Sequence, residues 1–127
     1  MKREIKFRAK AINDDFFKGV WVEGYYVSVL MGEEYVDAIT DGVHEIPIQI
    51  ETLGQYSGVK DRDGIEVCED DIVEWISSDG EYLFDIVAWR YGGLCLCNSQ
   101  YTVGSYYGLK VKGNKYDNPE LLKLISR

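Results

Sequence analysis

Val59-Lys60-Asp61-Arg62-Asp63-Gly64-Ile65-Glu66-Val67 reads as a β-hairpin with Asp63-Gly64 at its tip. Apolar residues flank the turn, and glycine tolerates the positive φ that a tight connection needs. The same grammar recurs on both sides. Ile72–Ile76 and Leu83–Trp89 flank a turn at Ser78-Asp79-Gly80, and Tyr35–Thr40 and Val43–Ile50 are joined by Asp41-Gly42. Pro47 cannot donate to a ladder, so it belongs on an edge or a bulge. Towards the N-terminus, Ile5, Phe7, Ala9 and Ala11 alternate with Lys6, Arg8 and Lys10, the period of a strand with one buried and one wetted face. Asn13-Asp14-Asp15 breaks that pattern as a loop, and Gly19–Leu30 follows as a long or bent strand in which Gly24 marks a bulge or a close backbone approach.

Leu94 with Leu96, and Leu109 with Val111, predict further strands. Only the end looks helical. Asn118 suits an N-cap, Pro119 the first helical position and Glu120 the positive end of the dipole, with Leu121, Leu122 and Ile125 as one apolar face. Short strands with regular turn signals favour a sandwich or small barrel. The fold class expected is therefore mainly β: a small SH3-like barrel or roll with additional N-terminal strands and one short C-terminal helix. One domain is expected over 1–127, divisible into N-terminal strands (1–50) and a barrel part with the helix (51–127).

Composition narrows the function classes. The chain has 127 residues, 46 % of them hydrophobic, enough for one sizeable core without staples. It has no apolar run of about 18 residues and no apolar leader, so a cytoplasmic location is expected, with no membrane partner. An odd count of three Cys suits a reducing compartment, and a single His removes most imidazole-based catalysis from consideration. The net charge of −8 is uneven: residues 1–20 and 108–127 are each +3, and 21–107 is −14. An acidic body argues against direct nucleic-acid binding, which depends on neutralising phosphates. Basic ends about an acidic middle fit either intrachain neutralisation or a homo-oligomer packed head to tail.

Three stretches, in order, resemble the YopX family of phage and prophage proteins. They are Arg3–Ala9; Glu51–Asp61 running on to Glu69-Asp70-Asp71-Ile72-Val73; and Gly113–Leu122. The resemblance implies a mostly β chain with a small SH3-like barrel, encoded by a bacteriophage or prophage. It implies no established activity and carries no catalytic residue. Two positions depart from the family pattern. Asp70 stands where Gly is usual, a site where positive φ would disfavour most residues though Asp less than others, and Lys10 replaces an aromatic.

The acids Asp61, Asp63, Glu66, Glu69, Asp70, Asp71 and Glu74 invite a carboxylate metal site and hence a metal-dependent hydrolase. Spacing opposes it: in an EF-hand register Val59 takes the first ligand position and Asp70 replaces the bidentate Glu. Turn-forming and solvated acids are the favoured reading, so no metal and no cofactor are expected. Cys68, Cys95, Cys97 and His44 lack the spacing of a zinc site, and the cysteines read as core residues. Gly108–Lys115 lacks the P-loop Lys, and no other catalytic motif is present, so no catalytic residue is expected.

Ten Tyr, three Trp and four Phe are the positive signal. Tyr25-Tyr26 and Tyr106-Tyr107 place one ring on each face of a strand, which makes Tyr25 and Tyr107 candidates for a binding surface. Gln55 and Tyr56, held on a turn between Gly54 and Gly58, are further candidates, with Asp71 from the acidic cluster. The function expected is non-enzymatic: protein binding or self-assembly, with a host or phage protein as a partner. A hydrolase using the Asp61–Glu74 carboxylates, or an acidic decoy of a host nucleic-acid-binding protein, is the alternative.

Overall fold

A computed structural model describes residues 5–12, 19–77, 79–90, 93–96 and 108–125. The chain divides into two compact units, Met1–Tyr56 and Ser57–Arg127. The first contains β1 (Phe7–Lys10), β2 (Trp21–Met31), β3 (Glu34–Thr40), β4 (Glu45–Pro47), a 3₁₀ turn at Ile50–Thr52 and the start of β5 (Gly54–Lys60). Its strands pair in the order β4-β3-β2-β1-β5, all antiparallel. Pro47 lies in the edge strand β4, where its missing donor costs nothing. Alternation along β1 sends Phe7 and Ala9 into a core with Val22, Ile39, Ile48 and Leu53. Gln49 and Thr52 stitch the end of β1: the Gln49 amide donates to the Lys10 carbonyl at 2.8 Å, and the Lys10 amide donates to Thr52 Oγ1 at 2.8 Å. Gly24, at φ +154°, is a close approach: a Cβ there would lie 2.3 Å from the Thr40 carbonyl oxygen.

The second unit takes the rest of β5, β6 (Glu66–Cys68), β7 (Asp71–Ile76), β8 (Tyr82–Arg90), β9 (Gly93–Leu96) and β10 (Lys110–Asn114). Its main sheet runs β10-β7-β8-β9, with β6 beside β5. Val67, Val73, Val87, Leu94, Leu96 and Leu109 form its core, with Val59, Trp75 and Val111 packed against them. The Asp63-Gly64 tip closes as expected: the Asp61 amide donates to the Ile65 carbonyl at 2.7 Å and the Gly64 amide to the Asp61 carbonyl at 3.0 Å.

Two expectations are corrected. The β content and hairpins are as read, but among the described residues neither sheet closes into a barrel. Closure requires every strand to have two neighbours, and β4 and β6 in one sheet and β9 and β10 in the other each have one within their sheet. The C-terminal segment Pro119–Leu124 is a 3₁₀ helix, not an α-helix. Six residues are too few to repay α-nucleation, and the side chain of Asn118 is already engaged, accepting from the Asn114 amide at 3.2 Å instead of capping. With three residues per turn the face of Leu121, Leu122 and Ile125 does not form. Leu122 and Leu124 are exposed, while Ile125 makes a bridge to Phe84. No helix among the described residues is long and apolar enough to cross a membrane.

Candidate functional site

The acidic cluster resolves into separate structural jobs. Asp61 is buried in the β5–β6 turn, and its Oδ1 accepts from the amides of Asp63 (2.8 Å) and Ile65 (2.9 Å) while Oδ2 accepts from Val111 of β10 (2.9 Å). Burial would raise the Asp61 pKa, but the three amides, led by Val111, and the charge of Arg62 outweigh it and hold the carboxyl below its ordinary value. Asp70 adopts a left-handed conformation with φ 73°. Its oxygens meet Tyr116 Oη at 2.9 Å and Lys115 Nζ at 3.2 Å. Asp71 is almost wholly buried and accepts from the Cys68 amide at 2.8 Å. Asp63 is exposed and lies 4.0 Å from Lys110. Carboxylates aimed at different partners do not converge, and among the described residues no three His, Cys, Asp or Glu are grouped to hold an ion. Cys68 and Cys95 are buried.

Asn114 organises the loop that reaches Asp70. Its Oδ1 accepts from the amides of Tyr116 (3.0 Å) and Asp117 (2.9 Å), and Asn118 Oδ1 accepts from its own amide. Gly113 is required beside it, since a Cβ would stand 2.3 Å from Asn118 Oδ1.

In the first unit the outward side chains of β1 lie over aromatic rings. Lys6 Nζ is 5.5 Å from the Tyr56 ring, and Arg8 and Lys10 are 4.9 and 5.6 Å from Trp21. Tyr56 is consequently buried and Gln55 half-buried. A shallow cleft lined by Asp41, Val43, His44, Glu45 and Ile46 lies at the β3–β4 turn. Asp41 accepts from the amides of His44 (2.7 Å) and Val43 (2.8 Å), which lowers its carboxyl to about 2. That carboxylate is committed to closing its turn.

Several exposed apolar side chains gather on the β2–β3 hairpin, though Val43, Ile65 and Tyr82 are exposed elsewhere. Tyr25 is 58 % exposed, Leu30 59 % and Tyr35 74 %, with Tyr26 and Met31 beside them. Tyr26 Oη donates to Asp37, and that hydrogen bond holds the phenol above its ordinary pKa. Among the candidates read from sequence, Tyr25 stands on this surface. Tyr56, Gln55 and Asp71 are held elsewhere as described, and Tyr107 lies outside the described residues. Leu30, Met31 and Tyr35 were not singled out in the sequence. Their signal is that no Lys, Arg or Pro occurs between Lys18 and Pro47.

Antiparallel β units whose buried acids cap turns, with an apolar hairpin left exposed, define a small all-β module. The family model described as YopX protein matches residues 6–123, and the chain belongs to that family. No curated protein matches. Among solved structures the chain is similar to protein EF1440 from Enterococcus faecalis, at 22 % identity, with 95 % of this chain and 99 % of that chain covered and a TM-score of 0.53. That likeness bears on the fold alone.

Proposed function

We propose that this is a phage- or prophage-encoded, non-enzymatic protein of the host cytoplasm that acts by binding protein, through the β2–β3 hairpin. The observation that carries the reading is the exposure of Tyr25, Leu30, Met31 and Tyr35 together on one hairpin. Aromatic and aliphatic side chains gathered on one element are the composition of a protein contact. The phage origin rests on the family resemblance. Of the Asp61–Glu74 carboxylates that would serve a hydrolase, Asp61 and Asp71 accept from backbone amides and Asp70 meets Tyr116 and Lys115, which favours binding over catalysis.

Affinity capture from a bacterial lysate tests this, with the wild type compared with a Leu30→Asp, Tyr35→Asp double variant at low and high salt. An apolar contact survives high salt and is lost in the variant. A partner retained only at low salt by both proteins points instead to the acidic surface and the decoy reading. Equal capture by both proteins at high salt refutes the hairpin as the site.

A further inference from the structure

We infer that Asp37, with Tyr26, Leu30 and Tyr35 around it, forms a receptor for an arginine side chain of a partner protein. The inference rests on the reading of the β2–β3 hairpin as a binding surface and names the chemistry which that surface recognises.

Register gathers these side chains on one face. Residues paired across an antiparallel ladder project to the same side, and Tyr26 pairs with Ile39, Ser28 with Asp37 and Leu30 with Tyr35. The hydrogen bond from Tyr26 Oη to Asp37 is made across that face. It is the face that buries Ile39 in the core of the first unit, and along the hairpin it runs out past that core. Ile39 is buried, Asp37 half-buried, and Tyr26, Leu30 and Tyr35 are exposed. Tyr25 and Met31 project from the opposite face and take no part.

Asp37 carries the charge of this face. Its Oδ1 accepts from Tyr26, which fixes the carboxylate, and among the described residues Oδ2 has no donor and the side chain meets no cation. Residues 19–46 supply none, since they hold Glu23, Glu33, Glu34, Asp37, Asp41 and Glu45 but no Lys or Arg. Elsewhere in the same unit the chain covers its rings with its own cations, Lys6 over Tyr56 and Arg8 and Lys10 over Trp21. Tyr26 and Tyr35 offer the same ring faces beside a carboxylate, and the complementary cation has to come from a partner.

Geometry favours arginine. Residues two apart on one strand face are about 7 Å from each other, and a cation is held within about 6 Å of a ring centroid. A guanidinium that donates to Asp37 Oδ2 therefore reaches the Tyr35 ring, and its alkyl stem packs on Leu30. Being planar and weakly hydrated, a guanidinium stacks and donates at once, which a compact ammonium does less well. The buried Ile39 on one side of Asp37 and exposed rings on the other limit the water that screens the pair. Nucleic acid and anionic lipid are repelled by the same six acids.

Three dye-labelled peptides that alternate Val with Arg, Lys or Gln test the inference, with binding to the full chain read by fluorescence anisotropy. The Arg peptide is expected to bind, the Lys peptide about threefold more weakly and the Gln peptide more weakly still. Asp37→Asn keeps an oxygen for Tyr26 and should weaken the Arg peptide about tenfold. Tyr35→Ala should weaken it about threefold or more, and because Tyr35 is exposed this variant carries the test if Asp37→Asn melts lower than the wild type. Asp79→Asn, at an exposed acid of the second unit, should leave binding unchanged. No binding of the Arg peptide, equal binding of the Lys peptide, or wild-type binding by a folded Asp37→Asn or Tyr35→Ala overturns the receptor. Equal weakening by Asp79→Asn also overturns it, by marking diffuse charge attraction. If the receptor fails while the Leu30→Asp, Tyr35→Asp substitutions still abolish capture at high salt, the hairpin stands as a binding site with a different occupant. Failure together with unchanged capture overturns both.

Discussion

Removing the buried Asp61 carboxylate should destabilise the second unit more than removing an exposed carboxylate of the acidic cluster such as Asp63. Three amides, those of Asp63, Ile65 and Val111, donate to its two oxygens. A hydrogen bond to a charged acceptor contributes about 1.5–3 kcal/mol. The first two amides belong to exposed residues of the turn, where water replaces the carboxylate in Asp61→Ala. The Val111 amide is half-buried on β10 and water replaces it less well. The expected loss is about 2–4 kcal/mol, against a whole-domain stability of about 5–15 kcal/mol. Asp61→Asn keeps one carbonyl oxygen for the turn and sets an amino group against the Val111 N–H, so about 1–2 kcal/mol is expected. Urea denaturation followed by Trp fluorescence reads both, as a lower midpoint at unchanged slope. The pH dependence has a definite sign. The folded-state pKa lies below the ordinary carboxylate value, so the stabilisation is complete above the unfolded pKa and is lost as pH falls through the folded one. Asp61→Asn should flatten that part of the acid limb. An Asp61→Ala midpoint equivalent to less than about 0.5 kcal/mol would refute the reasoning, since the three amides would then be satisfied without it.

Other substitutions probe the remaining geometry. Asp70→Gly relieves a left-handed residue at φ 73° but loses Tyr116 and Lys115, so it should lie within about 1 kcal/mol of the wild type, whereas Asp70→Ala keeps the strain, loses both contacts and should cost about 1–3 kcal/mol. If Ala were no worse than Gly in the same denaturation assay, conformation would not govern the site. Gly24→Ala drives a Cβ to 2.3 Å from a backbone oxygen of β3 and should cost more than about 2 kcal/mol, and an unchanged midpoint would disprove that close approach. Truncation before Asn118 removes the acceptor of the Asn114 amide and the Ile125 bridge to Phe84, and should lower the midpoint by about 1–3 kcal/mol. No change on truncation would show that the 3₁₀ segment contributes nothing.

Turn chemistry made most of the strand order legible. Asp63-Gly64, Asp41-Gly42 and Gly24 each impose a local backbone state that few residues can adopt, and each does in the structure what its residue type requires. Periodicity served less well. The alternation in β1 separates Lys6, Arg8 and Lys10 from Phe7 and Ala9, but it cannot say that rings from β2 and β5 come to lie under those charges. Hence Tyr56, which reads as a turn residue between glycines, is a buried strand residue. Asp71 is invisible for a similar reason: its acceptor role is set by the tight β6–β7 connection that brings the Cys68 amide to it. The 3₁₀ segment was misread because capping residues report a helix start but not its pitch. Barrel closure concerns distant edges, on which local patterns are silent.

The three stretches that carry the family resemblance turn out to be hydrogen-bonded neighbours within their units. In the first unit Phe7 and Arg8 pair with Gln55 and Gly54. In the second, Asp71 pairs with Asn114, the Lys115 amide donates to the Asp70 carbonyl at 3.1 Å, and Tyr116 donates to the Asp70 side chain. The departure at Asp70 fits this account, because Asp is among the few residues that tolerate a left-handed backbone and its carboxylate gains two partners there. A signature made of turn caps and strand pairs specifies a scaffold. The exposed hairpin lies between the first and second stretches, and none of its residues takes part in those pairings. On the binding reading proposed above, function lies apart from that scaffold, on Tyr25 to Tyr35, and comparing capture by the wild type with that by the Leu30→Asp, Tyr35→Asp variant measures it directly.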